Sequence, residues 1–132
     1  MADSVSLHRS RGGFDLIDFT ITLTRNGAVH VAPDSMRVSE FPVRSFAGDS
    51  LYWIFGFAFQ IAPMLPASVQ ADSAFGRVCG TDAPTITVTF FAGSQRTSVE
   101  DYQGCLFAPA FLRRLEKHIQ AVASGRPPNG EL

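Results

Sequence analysis

The side chains able to do chemistry are few and scattered. Two cysteines stand at Cys79 and Cys105, and three histidines at His8, His30 and His118. A structural zinc site asks for four such ligands at short paired spacings, and these five residues offer none. Hydrolysis by a serine, histidine and aspartate asks for a base within hydrogen-bond reach of its nucleophile. His8 lies in a polar terminal stretch, His30 on the polar side of a predicted strand, and His118 beside the apolar stripe of a predicted helix. No nucleophile elbow, phosphate-binding loop or dinucleotide fingerprint is present. The sequence nominates no catalytic residue, no metal ligand and no cofactor.

The cysteines leave two readings open. Both sit beside glycines, Gly80 and Gly104, in stretches that read as loops. Two such loops can meet in a disulfide. The alternative is a pair of reduced, partly buried thiols.

A second feature is apolar. Leu51 to Ala62 reads LYWIFGFAFQIA. At 100° per residue, Leu51, Ile54, Phe55, Ala58, Ile61 and Ala62 share one side. Trp53 and Phe57 then face away, four apart and in contact reach, with Tyr52 and Phe59 on a flank and only Gly56 and Gln60 as a polar sliver. An exposed aromatic patch of this kind marks an interface. Tyr52, Trp53, Phe57, Phe59 and Gln60 are therefore candidate interface residues, for a homodimer or a protein partner. Two alternatives stand beside that reading: an apolar ligand groove, and a cover formed by the long loop that follows, through Leu65, Val69 and Phe75.

Composition bounds the classes. The chain has 132 residues, 45% hydrophobic and 17% charged, with net charge −1 and 12 phenylalanines. That is one domain, too apolar to be intrinsically disordered and without the basic footprint of a nucleic-acid binder. Leu51 to Val69 carries no charge. Pro63, Pro66 and Gln60 interrupt it, so the continuous apolar part is too short to cross a bilayer. No signal peptide is legible. If one has been removed, the chain is periplasmic or secreted; otherwise it is cytoplasmic.

The elements that must position these residues follow from periodicity. Phe14 to Thr24 alternates as a half-buried strand, Asn26-Gly27 makes a hairpin turn, and Ala28 to Ala32 returns. Met36 to Phe41 reads as a short third strand ended by Pro42. Asp49 or Ser50 is the expected N-cap of a helix over Leu51 to Ala62, stopped by Pro63. A long loop leads to a second hairpin, Thr85 to Ala92 and Gln95 to Tyr102, turning at Gly93-Ser94. Pro109 opens a last helix, with Phe111, Leu115, His118, Ile119 and Val122 as its stripe and Gly125 after its end. The expected fold is α+β: an antiparallel sheet of four to five strands, tandem ββα in plan, with two helices on one face. Residues 1–13 are expected to be a flexible segment, 14–124 the domain and 125–132 a frayed tail. The outward threonines at 20, 22, 24, 85, 87 and 89 read as an ordinary solvated face.

The second half also carries a motif chain: Thr81-Asp82-Ala83-Pro84-Thr85, a hairpin through Gly93, Asp101-Tyr102-Gln103-Gly104, then Pro109, Leu112, Leu115-Glu116 and Ile119. This resembles a bacterial domain family of unknown function, often secreted or anchored as a lipoprotein, whose members run TD-x-P-T, a hairpin, D-Y-x-G and P-x-x-L-x-x-L-E. The resemblance covers most of 14–124 and implies an envelope location. That family usually opens its first strand with C-F-G-x-C-P. Here Arg11 to Asp18 contains neither cysteine. Asp82, Asp101 and Tyr102 are the polar members of the shared motifs. They define an alternative function, a small envelope enzyme or ligand-binding protein with a polar site there, against a plain role in turn and strand ends. The primary expectation is a non-enzymatic binding or assembly module acting through the aromatic helix face.

Overall fold

Alternating side chains build a five-stranded sheet, and the computed structural model describes it through residues 3–12, 17–72, 74–76 and 78–126. The strands are β1 (Ser4–Arg9), β2 (Phe19–Thr24), β3 (Val29–Ala32), β4 (Thr85–Ala92) and β5 (Gln95–Tyr102). The helices are α1 (Asp34–Ser39), α2 (Asp49–Ile61) and α3 (Ala110–Ser124). The sheet order is β3-β2-β1-β4-β5, with every neighbouring pair antiparallel. The fold is α+β, as the periodicity predicts.

Both predicted hairpins form. Gly27 has φ +94° and its N–H donates to the Thr24 carbonyl, the positive-φ position that glycine occupies without a Cβ clash. The second hairpin keeps its predicted boundaries. The terminal segment differs from expectation. Ser4–Arg9, expected within a flexible arm, is the central strand that joins the two hairpins. Its Val5 and Leu7 alternate inward between Leu23 and Ile21 of β2 and Phe90 and Val88 of β4. The predicted first strand begins at Phe19; Ile17 and Asp18 are irregular, and 14–16 lie outside the described residues. So does 127–132 of the predicted tail.

The predicted third strand over Met36 to Phe41 is instead the helix α1. Pro33 precedes it and Asp34 sits in its first turn, a carboxylate at the positive end of the helix dipole. Local hydrogen bonding wins over a weak alternation: Glu40 N–H and Phe41 N–H both reach the Met36 carbonyl. Phe41 then packs on Phe19 with ring centres 4.8 Å apart. Arg44 to Phe46 runs antiparallel to the start of β3, with Ser45 bridging Ala28. Val29 N–H donates to Arg44 O and Phe46 N–H to Gly27 O.

α2 begins at Asp49, two residues before the expected Leu51. Gly48 is the N-cap, with no side-chain cap bond, and Asp49 lies in the first turn. α3 starts after Pro109 and ends at Gly125, which adopts the left-handed conformation at φ +79°. The core is one cluster: the inward row of the sheet, Ile54, Phe55, Ala58 and Ile61 of α2, and Leu112, Leu115, Ile119 and Ala123 of α3. The opposite sheet face carries serine, threonine and histidine on β1 to β4, with Phe91 of β4 and Arg96, Glu100 and Tyr102 of β5 beside them. Among the described residues no helix is long and apolar enough to cross a membrane.

Candidate functional site

α2 divides as its sequence requires, with one difference. Ile54, Phe55, Ala58 and Ile61 are buried. Trp53 and Phe57 do stack on each other, ring centres 4.5 Å apart, but Trp53 also lies 4.2 Å from the imidazole of His118. α3 therefore takes up the indole, and both aromatics are half-buried at the edge of the core. The Trp53/Phe57 face is thus partly covered, Trp53 by a neighbouring helix far away in sequence. His118 is 1% exposed, and neither ring nitrogen has a hydrogen-bond partner among the described residues. Burial pushes its pKa below the usual 6.5.

What stays exposed on α2 is Tyr52, at 79%, and Phe59, at 58%, with Gly56 and Gln60 also open. Tyr52, Gly56, Phe59 and Pro63 follow one another at helical spacing, so they form a single outer stripe. It carries no charge, although the outer face of a surface helix is normally charged. The stripe runs beside an open-sided groove of about 520 Å³ between the end of α2 and the β4–β5 hairpin. Ala58, Phe59, Ala62 and Pro63 form one wall, Phe90 and Ala92 another, with the polar ends of Gln60, Gln95 and Thr97 at the rim. The connecting loop does pack down, as its apolar residues predict, but along β5. Val69 is fully buried and Ala67–Val69 bonds to Glu100, whereas Val78 is exposed.

The motif residues Asp82, Asp101 and Tyr102 are not brought to one accessible site. Asp101 points inward and is 0% exposed. Arg113 of α3 grips it with two hydrogen bonds, Nε to Oδ2 at 2.7 Å and Nη2 to Oδ1 at 2.9 Å. The same Nη2 donates to the carbonyls of Tyr102 and Cys105, each at 3.2 Å. Tyr102 lies on the other face of β5, where its hydroxyl donates to Gly80 O at 3.0 Å and accepts from Ala83 N–H at 3.2 Å. Asp82 is exposed with φ +62°, a left-handed turn position that aspartate tolerates better than most residues. Each residue is thus employed in closing a turn or seating a helix.

Two members of this cluster escaped the sequence reading. Arg113 gives no local sign of its partner, which lies across the fold. Glu116 is 2% exposed, and its spacing to Leu112, Ile119 and Ala123 places it on the buried stripe, a signal that was legible. Its Oε1 accepts from Gln103 Nε2 at 3.3 Å, while Oε2 meets no donor among the described residues. Burial first, then the hydrogen bond to and charge of Asp101, push the Glu116 pKa up to about 10.

Cys79 and Cys105 form a disulfide. Among the described residues no group of three or more histidine, cysteine or acidic side chains is placed to hold a metal ion. Compared with known proteins, the chain matches no protein-family model, no curated protein and no solved structure.

Proposed function

We propose that this protein is a non-catalytic binding module whose working surface is the uncharged outer stripe of α2 and the groove at its C-terminal end. The observation that carries this reading is that stripe. Tyr52 and Phe59 stay in solvent on a helix whose only charged residue is Asp49 in the first turn. Open to one side, the groove suits the side chains of a protein partner better than an enclosed small molecule. The alternative, a polar site near Asp82, Asp101 and Tyr102, finds no support in a buried Asp101 already held by Arg113. The Cys79–Cys105 bridge supports an oxidising compartment, periplasmic or secreted. That agrees with the bacterial envelope setting implied by the motif resemblance.

The test is site-specific photo-crosslinking in cells that express the chain naturally. A photoreactive residue at Phe59 is expected to give a discrete protein adduct. The same residue at His30, exposed on the opposite sheet face, is expected to give none. Equal labelling from both positions, or no adduct from Phe59, overturns the reading.

A further inference from the structure

We propose that the free end of β5 is a strand-docking edge. An extended segment of a partner protein pairs with the outward backbone groups of Arg96 and Ser98, lays an apolar side chain into the groove beside Phe59, and sets an acidic side chain beside Arg96. The inference deepens the binding-module reading and rests on it.

The register of the second hairpin fixes which backbone groups point outward. Ala92 pairs with Gln95 across the Gly93-Ser94 turn, and pairing continues to Thr85 and Tyr102. In an antiparallel ladder, alternate residues turn their N–H and C=O away from the neighbour. Here those residues are Arg96, Ser98, Glu100 and Tyr102. Glu100 confirms the phase: its N–H donates outward to Ala67 O at 2.8 Å, and its carbonyl accepts from Val69 N–H at 2.9 Å. The Tyr102 carbonyl accepts from Cys105 N–H at 3.1 Å. The chain has thus covered the C-terminal half of this edge with its own segment. Arg96 and Ser98 have no outward backbone partner among the described residues, and Gln95 to Ser98 are all exposed. An uncovered row of this kind is a template for another strand.

Side chains on the two faces of the same stretch give the partner its chemistry. Gln95 and Thr97 point to the helix side and line the groove. A residue paired opposite Thr97 turns its side chain to that same side, where Phe59, Ala62, Phe90 and Ala92 offer apolar contact. On the other face, the Arg96 guanidinium lies 5.4 Å from the ring centre of Phe91, with no carboxylate bonded to it among the described residues. An acidic side chain opposite Arg96 or Ser98 complements it. The occupant is therefore an extended segment with an apolar residue flanked by acidic ones. A second copy of this chain fits less well. If two β5 strands paired so that Arg96 met Ser98, the Ser94 turn of one copy would fall opposite Glu100 of the other, where Ser68 already sits.

The probe is a peptide selected on the full chain from a random display library, then synthesised. The expected sequences share an apolar residue between Asp or Glu. In nitrogen-15 NMR spectra of the full chain, shifts are expected to cluster on the amides of Gln95–Ser98 and Phe59–Ala62. Methylating the peptide nitrogen that faces the Ser98 carbonyl should weaken binding about tenfold, the loss of one backbone hydrogen bond. Ser98→Pro should do the same, since proline on an outward edge position removes the donor and is structurally tolerated. Ser98→Ala keeps the amide and should bind as the wild type does. Arg96→Glu should shift selection toward Lys and Arg. Groove shifts that ignore both the N-methyl group and Ser98→Pro would overturn strand docking while leaving the binding-module reading intact. If no peptide is selected, or shifts lie away from both β5 and α2, both fall. Self-association abolished by Ser98→Pro would replace the partner segment with a second copy and overturn the assignment made here.

Discussion

Glu116→Gln should make the protein more stable at neutral and alkaline pH, and the gain should grow with pH. Glu116 holds its proton up to about pH 10 in the folded protein, against an ordinary value of 4.5. Between those values the folded state binds one more proton than the unfolded state. Stability is therefore complete below the unfolded value, declines as pH rises, and levels off above the folded one. One proton corresponds to about 1.4 kcal/mol per pH unit. Between pH 7 and pH 9 the wild type should thus lose about 3 kcal/mol relative to the glutamine variant, a difference of roughly 10 °C in melting temperature for a chain of this size. Glutamine keeps the acceptor that Gln103 uses and supplies an N–H₂ where the carboxyl carries its proton. The window avoids His118, whose depressed pKa acts on the acid side of 6.5. The assay is urea unfolding followed through the fluorescence of the single tryptophan, Trp53. Groups that titrate equally in both proteins cancel in the difference. If the two stability profiles run parallel from pH 7 to pH 9, the buried protonated carboxyl is refuted.

Three further outcomes follow from the same cluster and its surroundings. Arg113→Met should cost roughly 3–5 kcal/mol, because it leaves Asp101 buried without its counter-ion. Asp101→Asn added to it should recover much of that loss, measured as a double-mutant cycle. Replacing Cys79 and Cys105 together by serine should lower stability by about 3 kcal/mol in the loop-entropy account, read from the urea midpoint under non-reducing conditions. Acidification below pH 6.5 should destabilise the wild type, since burial keeps His118 neutral in the folded state while the unfolded imidazole takes up a proton. His118→Phe should flatten that acid limb, and an unchanged limb would assign it to other groups.

Most of what the sequence made legible is local. The Asn26-Gly27 and Gly93-Ser94 turns, the alternation that flanks them and the apolar side of α2 each depend on residues within a few positions of one another. What escaped depends on distant partners. β1 has only Val5 and Leu7 as inward anchors, too few to announce a strand. Its place at the sheet centre is set by β2 and β4, one on each side. α1 was hidden by a chance alternation of Met36, Val38 and Glu40, outweighed by Pro33 and Asp34 at a helix start. Trp53 is half-buried against His118 of α3, a packing between distant elements that no local pattern encodes. Asp101 and Tyr102 are bonded to Arg113, Gly80 and Ala83, partners that the motif spacing alone does not specify.

The two ends of β5 are built in opposite ways, and this contrast bears on where binding belongs. At the C-terminal end, three independent ties converge. Cys79–Cys105 joins the flanking loops, the Tyr102 hydroxyl clasps Gly80 and Ala83, and Arg113 binds Asp101 together with the Tyr102 and Cys105 carbonyls. Even the edge is covered there, by Ala67–Val69 on Glu100. At the N-terminal end, Gln95–Ser98 is exposed and its neighbour across the groove is the aromatic end of α2. A buried ion pair contributes little net stability compared with apolar packing, so its presence at the tied end is better understood as fixing α3 in one position on the sheet. With α3 fixed, Trp53 is fixed through His118, and α2 with it. A groove wall seated on fixed elements before a partner arrives lowers the ordering cost of binding there.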